Sequence, residues 1–357
     1  MMARAIGLAK QGRYTTAPNP NVGCVIVQNG QIVGEGFHLR AGEPHAEVHA
    51  LRMAGERAKG ATAYVTLEPC SHYGRTPPCA KGLIEAGVAK VFCAMQDPNP
   101  QVAGRGIQML QDAGIDVEVG LLNQDAKALN SGFIKRMQTG MPFVQLKMAA
   151  SLDGQTALAN GQSQWITSPQ ARSDVQAYRA MAGAILSTSR TVIDDDASLN
   201  VRWSQLPEAV RSHYPQHNLR QPPRVILDRQ NQLMGGLKLL QQPGDIIRVG
   251  AEGDIHPQLT SEGQIELAAL FQQLAQSHNI HHLWVEAGAT LAGSLIKANL
   301  VDELVLYLAP KLMGSDGRGL FGALNLAEMS QVIDLDIQDV RQVGADIRVV
   351  AIPVAKN

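Results

Sequence analysis

The sequence predicts an α/β protein divided into two domains. At 357 residues the chain is too long for one ordinary domain and suits two. Short β-rich runs alternate with helical runs, a rhythm typical of mostly parallel sheets that are covered on both faces. A polar, helix-breaking stretch at residues 138–142 interrupts that rhythm near the middle of the chain. We therefore expect one domain over residues 1–140 and a second over residues 141–357.

The elements of the first half follow from the spacing of its apolar residues. Residues 1–10 lack the long apolar centre of a signal peptide. Their pattern predicts an amphipathic helix instead. Asn29-Gly30 is a strong turn signal between two strands of a hairpin. The predicted strands are 22–27, 31–38, 61–67, 90–95 and 115–119, and the predicted helices are 46–58, 81–86, 106–113 and 125–137.

The second half repeats the pattern from residue 143. A polar stretch interrupted by prolines, residues 204–223, predicts a long surface loop. Short apolar runs bounded by turn residues predict buried strands. The predicted strands are 143–149, 184–187, 224–227, 246–249, 282–286, 303–309 and 347–352, and helices are expected around 169–181, 265–276 and 291–298.

The composition excludes several classes of protein. A net charge of -1, from 31 Lys+Arg and 32 Asp+Glu, does not suit tight nucleic-acid binding, which needs clustered cations. A content of 45% hydrophobic and 18% charged residues excludes a mostly disordered chain. No apolar run approaches the roughly 20 residues that a membrane helix needs, and the 4 cysteines form no disulfide framework. We therefore expect a cytoplasmic protein without a membrane or nucleic-acid partner.

The first half carries residues suited to a catalytic zinc ion. His45 and Glu47 open a predicted helix, and Cys70 and Cys79 follow in a loop rich in Pro, Gly and Ser. One imidazole and two thiolates suit Zn²⁺, and three protein ligands leave a fourth position open for water. Glu47 lies two residues after the proposed His ligand, so it is a candidate to take a proton from that water and return it to a leaving amine.

This set resembles the zinc-dependent nucleobase deaminases, whose pattern is His-x-Glu followed by Pro-Cys-x-x-Cys. Here eight residues separate Cys70 from Cys79, and this longer form resembles the riboflavin-biosynthesis branch of the superfamily, as do residues 17–23 and 97–100. The resemblance implies a cytidine-deaminase-like three-layer domain that acts on a phosphorylated pyrimidine. It also implies substrate contacts, for which an ordinary loop position is the alternative, from Asn19, His38, His72 and Arg75.

The second half contains features of a nucleotide-binding domain. The strand at 282–286 runs into a Gly-rich turn and a helix, whose first backbone N–H groups can bind phosphate. A Gly-rich turn alone is weak evidence, because glycine also serves close packing. Arg229 follows the strand at 224–227, where an arginine can meet the ribose 2′-phosphate that distinguishes NADP from NAD. A solvated surface charge is the alternative for Arg229.

Together these segments resemble the reductase domain of the riboflavin pathway, which has a dihydrofolate-reductase-like fold, over residues 143–352. In this order the two halves resemble the bifunctional RibD-type enzymes. The resemblance implies zinc-dependent deamination of a diaminopyrimidinone ribose 5′-phosphate, followed by reduction of its ribosyl group with NADPH. It implies NADP contacts from Ala149, Trp165, Thr191, Asp195, Arg229, Gly288, Ala289, Thr290, Leu291, Ala292, Gly293 and Ser294. It implies substrate contacts from Ser163, Arg179, Leu199, Arg202 and Glu286, of which the two arginines suit a phosphate.

The reductase half departs from the family pattern at one point. The family has Asp-Asp-Pro where this chain has Asp195-Asp196-Ala197, and loss of the proline is expected to loosen the loop before Leu199. No side chain in this half is an obvious general acid. Glu286 and Asp195 are the candidates.

Two other functions are compatible with parts of this pattern. A zinc deaminase acting on RNA or DNA is disfavoured by the balanced charge. A non-enzymatic nucleotide sensor with a structural zinc would need a fourth protein ligand. His49, one helical turn after His45, is a candidate for that ligand, although a polar position on the same helix face is favoured. We also expect a homo-oligomer, with a dimer favoured.

Overall fold

The computed structural model describes residues 1–73, 77–100 and 102–354. The chain forms two compact units, Met1–Gly140 and Met141–Asn357. Both combine a central sheet with helices, so the predicted α/β class is confirmed. Among the described residues no helix combines the length and apolar character needed to cross a membrane.

A mixed sheet forms the centre of the first unit. Its strands are β1 (Gly23–Gln28), β2 (Gln31–Phe37), β3 (Thr62–Val65), β4 (Lys90–Cys93) and β5 (Asp116–Val119). Its helices are α1 (Met2–Ala9), α2 (Ala46–Ala54), α3 (Cys79–Glu85), α4 (Arg105–Asp112), α5 (Asn123–Ala128) and α6 (Ser131–Thr139). The sheet order is β2-β1-β3-β4-β5, with β1 antiparallel to both neighbours and β3, β4 and β5 parallel.

Close packing of α2 on β2 sets the position of the zinc motif. A Cβ atom on Gly34 would lie 2.1 Å from the carbonyl oxygen of Ala50, and one on Gly36 would lie 2.8 Å from that of Ala46. Only glycine allows this approach of a helix to a strand. Small buried residues on α2, including Ala46 and Ala50, face the same core. The start of α2, where the motif lies, is therefore held firmly against the sheet.

The predicted helix over 125–137 is two helices, because Asn130 interrupts it. The Asn130 side chain is buried, accepts a hydrogen bond from the Asn21 backbone N–H at 2.7 Å, and donates one to the Asn21 carbonyl at 2.9 Å. A side-chain amide that binds backbone groups of a distant segment competes with continuation of the helix. The predicted helix over 46–58 likewise ends early, since Gly55–Ala58 is a 3₁₀ turn.

The second unit is built on a larger sheet. Its strands are β6 (Phe143–Ser151), β7 (Gln155–Ala157), β8 (Ala184–Thr188), β9 (Arg224–Leu227), β10 (Ile246–Val249), β11 (His282–Glu286), β12 (Glu303–Ala309), β13 (Arg318–Gly319), β14 (Leu335–Val343) and β15 (Asp346–Pro353). Its helices are α7 (Pro169–Met181), α8 (Ser189–Asp195), α9 (Glu208–Arg211), α10 (Lys238–Gln241), α11 (Leu267–Ser277) and α12 (Ala289–Lys297).

The order of the large sheet is β10-β9-β8-β11-β6-β12-β15-β14. The strands from β10 to β12 are mutually parallel, and β15 and β14 complete the sheet as an antiparallel ribbon. Apolar clusters cover the two faces of the sheet, one around Phe271 on α11 and the other around Trp284 and Tyr307. The carboxyl ends of the parallel strands therefore lie along one edge, where ligands bind in open parallel sheets.

Three features of the second unit differ from expectation. β14 was not predicted, because its pattern of exposed residues lacks the alternation of a half-buried strand. α8 begins where only a motif was recognised, and the Thr188 hydroxyl caps it by accepting the Thr191 N–H at 3.2 Å. The predicted loop over 204–223 contains the short helix α9 and a 3₁₀ turn at Gln216–Asn218.

Candidate active sites

Three candidate zinc ligands meet in the first unit. His45 immediately precedes α2, Cys70 lies in the loop after β3, and Cys79 is the first residue of α3. Their ligand atoms lie within 4.8 Å of one another. Nδ1 of His45 is 3.3 Å from Sγ of Cys79 and 3.7 Å from Sγ of Cys70. Hydrogen bonds from Cys79 and His45 lower the pKa of the Cys70 thiol, which favours the metal-binding thiolate.

Glu47 is buried beside these ligands, on the first turn of α2. Its side chain is 3% exposed, and among the described residues its Oε2 atom has no hydrogen-bond partner. Burial raises the pKa of its carboxyl to about 7, although the charge of His45 opposes the shift. A buried carboxylate oxygen without a partner is placed to exchange a proton with a molecule held at the ligand set. The donor types and this orphaned oxygen both fit a catalytic zinc ion.

His38 and Asn19 lie on one side of the ligand set. The His38 ring is buried, and its centroid is 5.5 Å from that of His45 in an edge-to-face arrangement. Nδ2 of Asn19 donates a hydrogen bond to Nε2 of His38 at 3.1 Å, and Nδ1 of His38 donates one to the Pro44 carbonyl at 3.1 Å. Burial lowers the pKa of His38, which favours the neutral ring. The structure therefore brings Asn19 and His38 together with His45.

The remaining residues predicted for this site are less closely associated with it. His72 is exposed, and its charge acts on the neighbouring Asp97. Arg75 lies outside the described residues. His49 is not a member of the metal-ligand cluster found among the described residues, and its Nε2 atom is buried. His49 therefore does not complete a closed structural metal site.

In the second unit the sheet brings many of the predicted residues to one edge. Ala149 lies near the end of β6, and Glu286 is the last residue of β11. Arg229 follows β9, and Thr191 lies in the first turn of α8 after β8. Because β9, β8, β11 and β6 are adjacent and parallel, these residues lie at the same carboxyl edge.

A buried ion pair joins two of the predicted substrate residues. Nε and Nη2 of Arg179 donate to the two carboxylate oxygens of Glu286 at 2.5 Å and 2.9 Å, and Nη1 donates to the Asn200 carbonyl at 3.0 Å. The Trp284 indole N–H also donates to Glu286, at 2.8 Å. Burial opposes ionisation of Glu286, but the charge and hydrogen bonds of Arg179 outweigh it and lower the pKa to about 2. Glu286 is therefore ionised, and each of the three guanidinium nitrogens of Arg179 donates one hydrogen bond within the protein.

Lys147 is a further residue of this edge, and no role was predicted for it. It lies on β6 directly opposite Glu286 in the strand register. Burial lowers the pKa of its ammonium group, and the charge of Glu286 opposes that shift. Asp195 and Arg179 also act on its charge. Its position opposite the end of a neighbouring strand becomes apparent only from the sheet order.

Arg202 and Leu199 lie in the segment that follows α8. Nε of Arg202 donates to Gln205 at 2.6 Å and Nη1 to Ser198 at 3.1 Å. Burial and the charge of Arg179 lower the pKa of Arg202. Leu199 has a positive φ of 49° and a side chain that is 2% exposed, so only its backbone faces away from the core. Such a conformation is strained for a bulky residue and is typical of functional loops.

The Gly-rich turn leads into α12, with Gly288 at the N-cap. The amide N–H of Ala292 donates to the Gly288 carbonyl, and the N–H groups that follow it take part in the hydrogen bonds of the helix. Leu291 and Ala292 pack in the core, and a Cβ on Gly293 would lie 3.1 Å from the Gly322 nitrogen. The free N–H groups of the first turn belong to the residues from Gly288 to Leu291. The expected NADP contacts of Ala292, Gly293 and Ser294 stay a prediction.

The other predicted NADP and substrate residues have exposed or half-buried side chains. Trp165 is 66% exposed, with the Arg172 guanidinium 4.5 Å from its ring centroid. Ser163 is half-buried, and Asp195 is exposed at the end of α8. Arg229 is exposed and donates a hydrogen bond to the Gly263 carbonyl. These positions leave the side chains of Trp165, Asp195 and Arg229 accessible to a ligand.

Two family models match the chain. Residues 1–95 match the cytidine and deoxycytidylate deaminase zinc-binding region, and residues 142–349 match the RibD C-terminal domain. The first match contains the three candidate zinc ligands and Glu47, and the second contains the proposed NADP and substrate residues of the second unit.

Relatives match over nearly the whole length. The chain is 57% identical to the riboflavin biosynthesis protein RibD of Escherichia coli, over 97% of this chain and 96% of that protein, and 56% identical to that of Haemophilus influenzae, over 99% and 96%. A solved structure of Acinetobacter baumannii RibD has a TM-score of 0.91 at 48% identity, covering 99% of this chain and 98% of its own. A Thermotoga maritima diaminohydroxyphosphoribosylaminopyrimidine deaminase/5-amino-6-(5-phosphoribosylamino)uracil reductase has a TM-score of 0.86 at 32% identity, covering 99% and 97%.

Proposed function

This chain belongs to the RibD family of riboflavin biosynthesis proteins, and on that basis we propose that residues 1–140 form its deaminase domain and residues 141–357 its reductase domain. The protein is a bifunctional enzyme that uses zinc and NADPH. It hydrolytically deaminates 2,5-diamino-6-ribosylamino-4(3H)-pyrimidinone 5′-phosphate. It then reduces the ribosyl side chain to give 5-amino-6-(5-phosphoribitylamino)uracil.

The deaminase assignment rests on one observation above all: three zinc-ligand side chains meet beside a buried, unpartnered carboxylate oxygen. His45, Cys70 and Cys79 would hold the ion, which when bound lowers the pKa of water and polarises it for attack. Oε2 of Glu47 would accept the proton of the attacking water. The same oxygen would then return the proton to the amino group that leaves as ammonia.

The pyrimidine would be held by groups on either side of the zinc ligands. Asn19 and His38 are linked by a hydrogen bond, and the His38 ring contacts His45. A neutral imidazole and a primary amide can pair with the ring and ribose groups of a nucleotide. Arg75 and His72, which belong to the loop between the two cysteine ligands, would supply further substrate contacts.

In the reductase domain the accessible cation near the substrate segment is Arg202. Arg179 is engaged with Glu286, whereas Arg202 donates through Nε and Nη1, and its Nη2 group has no partner among the described residues. We assign the substrate phosphate to Arg202, with the Leu199 backbone and Ser163 beside it. NADPH would lie across the carboxyl edge of the sheet, with Arg229 at its ribose phosphate and the first turn of α12 at its pyrophosphate.

Reduction of the ribosyl group consumes one hydride and one proton. NADPH, when bound, supplies the hydride. Glu286 is held ionised by Arg179 and is a poor donor at neutral pH, and Asp195 is exposed. Lys147 lies opposite Glu286 on the neighbouring strand at this edge, and burial lowers the pKa of its ammonium group, which makes that group a better proton donor. We assign proton donation to Lys147, with Glu286 holding its ammonium group in place.

A homodimer is proposed from the surface of the antiparallel ribbon. In the register of β14 and β15, the exposed side chains of Leu335, Ile337, Val340 and Ile347 lie on one face. They extend the apolar face of β12, because Leu308 lies opposite Ile347. Contiguous exposed apolar surface of this kind marks a protein contact.

The charges of β14 are compatible with a second copy of the chain as the occupant. Asp339 is paired with Arg341 and Arg348 of its own chain. Self-pairing of two β14 strands about a two-fold axis at Val340 places Asp339 of one copy opposite Arg341 of the other. Opposite charges in directly facing positions stabilise antiparallel pairs.

The expected cytoplasmic location remains a prediction, supported by free cysteines among the described residues.

One experiment tests both activities together. The diaminopyrimidine substrate is incubated with the protein, with and without NADPH, while ammonia release and NADPH loss are measured. Ammonia should appear in both reactions, and NADPH should be consumed only after deamination. The Cys70→Ser variant should lose most of its zinc and all ammonia release, because a hydroxyl is a poor zinc ligand. Full zinc occupancy in that variant would remove Cys70 from the metal site.

A further inference from the structure

A buried carboxylate joins the zinc loop to a distant segment of the deaminase domain. Glu68 follows β3 and precedes the Pro69-Cys70 pair, and its side chain is 3% exposed. One of its oxygens accepts the backbone N–H groups of Asp97 and Gly104 at 3.1 Å and 2.9 Å. The other accepts those of Gly106 and Ile107 at 2.8 Å and 3.2 Å. No role was predicted for Glu68.

These bonds account for both oxygens of Glu68. A buried carboxylate is costly unless charge-assisted hydrogen bonds compensate it. Here the compensation comes from backbone amides at the beginning of α4, where the helix dipole also favours a negative charge. With two donors on each oxygen, Glu68 has little capacity left to bind a metal or to transfer a proton. Its effect on the reaction must therefore come from what it holds in place.

A second contact shows how closely the same segments approach. A Cβ atom on Gly106 would lie 1.9 Å from the carbonyl oxygen of Pro69 and 3.2 Å from Oε1 of Glu68. No side chain can be accommodated at position 106 without moving α4 or the backbone before Cys70. The Glu68 bonds and the absence of a side chain at Gly106 together define one joint, between Glu68–Pro69 and the start of α4.

The joint determines where Asp97 lies. The Asp97 N–H is one of the four donors to Glu68, and the Asp97 carboxylate accepts the Asn99 N–H at 2.8 Å. Burial raises the pKa of Asp97, and Glu68, His72 and Cys70 are near enough for their charges to act on it. Asp97 therefore lies against the loop that carries a zinc ligand. Asp97 would then line the pocket proposed for the pyrimidine.

We propose that Glu68 is a positioning residue of the deaminase, whose carboxylate fixes Asp97 and the start of α4 against the zinc loop and so shapes the substrate pocket. The inference rests on the proposed deaminase site. His45 and Cys79 belong to the starts of α2 and α3, and Cys70 is tied to α3 by the Cys79 N–H, which donates to its Sγ at 3.3 Å, and by the Ala80 N–H, which donates to its carbonyl at 3.2 Å. A loosened joint should therefore disturb the pocket wall more than the ion.

The test separates substrate binding from metal binding and chemistry. Glu68→Gln keeps the size of the side chain but turns an NH₂ group toward two of the N–H donors. We expect the KM for deamination to rise about tenfold, the cost of roughly one lost hydrogen bond to the substrate, because a displaced pocket wall weakens binding of the ground state and the transition state alike. Bound zinc, kcat for deamination and the reductase rate should stay close to those of the parent. Glu85→Gln, on the exposed surface of α3, is the matched control and should change none of these quantities.

A second variant breaks the same joint from the other side. Gly106→Ala introduces the Cβ that would meet the Pro69 carbonyl, and it should produce the same rise in KM with zinc retained. A KM within twofold of the parent in Glu68→Gln would overturn the inference, and so would loss of zinc in both variants. Absence of ammonia release by the parent protein would instead contradict the deaminase assignment itself.

Discussion

Glu47 combines two properties that a single proton shuttle needs. It is buried, with a pKa raised to about 7, and its Oε2 atom is free among the described residues. A carboxyl whose pKa lies near the working pH can both accept and return a proton. The identity of the residue was predicted from its place two positions after His45. Its burial and orphaned oxygen depend on how α2 packs against the sheet.

Glu47→Gln should therefore abolish chemistry without removing the metal. Loss of a general acid–base typically costs about 10²–10⁴-fold in rate, and here one group serves both proton transfers, so we expect the high end of that range. Zinc analysis and ammonia release measure the two effects on the same sample. Deamination within a few-fold of the parent rate would exclude Glu47 as the shuttle.

The ion pair of Arg179 and Glu286 should make the stability of the second unit depend on pH. Both side chains are largely buried, with exposed fractions of 10% and 12%. Glu286 has its pKa lowered in the folded protein, so the pair contributes stability above the unfolded pKa of roughly 4.3, and this is lost as the pH falls toward about 2. The pair is therefore fully effective at neutral pH.

Arg179→Gln should destabilise the reductase domain by about 3–5 kcal/mol at pH 7, because it leaves a buried carboxylate without its compensating charge. Burial would then raise the pKa of Glu286, so the deficit should shrink as the pH falls and Glu286 becomes protonated. Unfolding of parent and variant at pH 7 and pH 5 measures the difference. A deficit that is equal at both values would show that the charge of Glu286 does not cause it.

Strand β14 is the element whose role depends most on its surroundings. Its burial pattern is almost wholly exposed, yet it forms the edge of the large sheet and carries apolar residues on one face. Local propensity cannot identify such a strand, because the partner that would cover its face is not part of the same sequence pattern. The helix pair α5 and α6 makes the same point, since the distant backbone of Asn21 ends the first helix.

Val340→Lys should convert the proposed dimer to a monomer. The substitution places two like charges at the two-fold axis and removes apolar area from the centre of the contact. Sedimentation equilibrium over a range of concentrations measures the state of assembly. Val119→Lys, at an exposed position on β5, is the control and should leave the assembly unchanged. A parent protein that is monomeric at all concentrations would contradict the proposal.

The molecule has two compact units, and each carries its own set of proposed site residues. The zinc residues all precede residue 140, and the proposed NADP residues all follow it. Each unit has its own apolar core, so each should keep its site when the other is inactivated.

Full-length Glu47→Gln should therefore reduce pre-deaminated substrate at nearly the parent rate. NADPH oxidation with that substrate measures it directly. A fragment beginning at Met141 should do the same without zinc, provided that newly exposed surface does not aggregate it. Loss of reduction in the folded full-length variant would show that the two sites are coupled.

The two chemistries could be inferred from order along the chain. The spacing of His45, Glu47, Cys70 and Cys79, and the Gly-rich turn after a strand, are local patterns whose meaning does not depend on distant residues. The family resemblance that these patterns carried is confirmed, together with the α/β class and both cofactors. Motifs of this kind can be recognised in a sequence because a short segment carries several functional groups at a characteristic spacing.

Only the tertiary structure determines the burial, the pairing and the pKa of the functional side chains. Arg179 and Glu286 are 107 residues apart in sequence, and only folding pairs them. The role proposed for Lys147 depends on the adjacency of β6 and β11, and that proposed for Glu68 depends on the packing of α4 beside the zinc loop. Burial, pairing and pKa arise from contacts between segments distant in sequence. These contacts are set by the packing of the whole domain, and spacing along the chain does not reveal them.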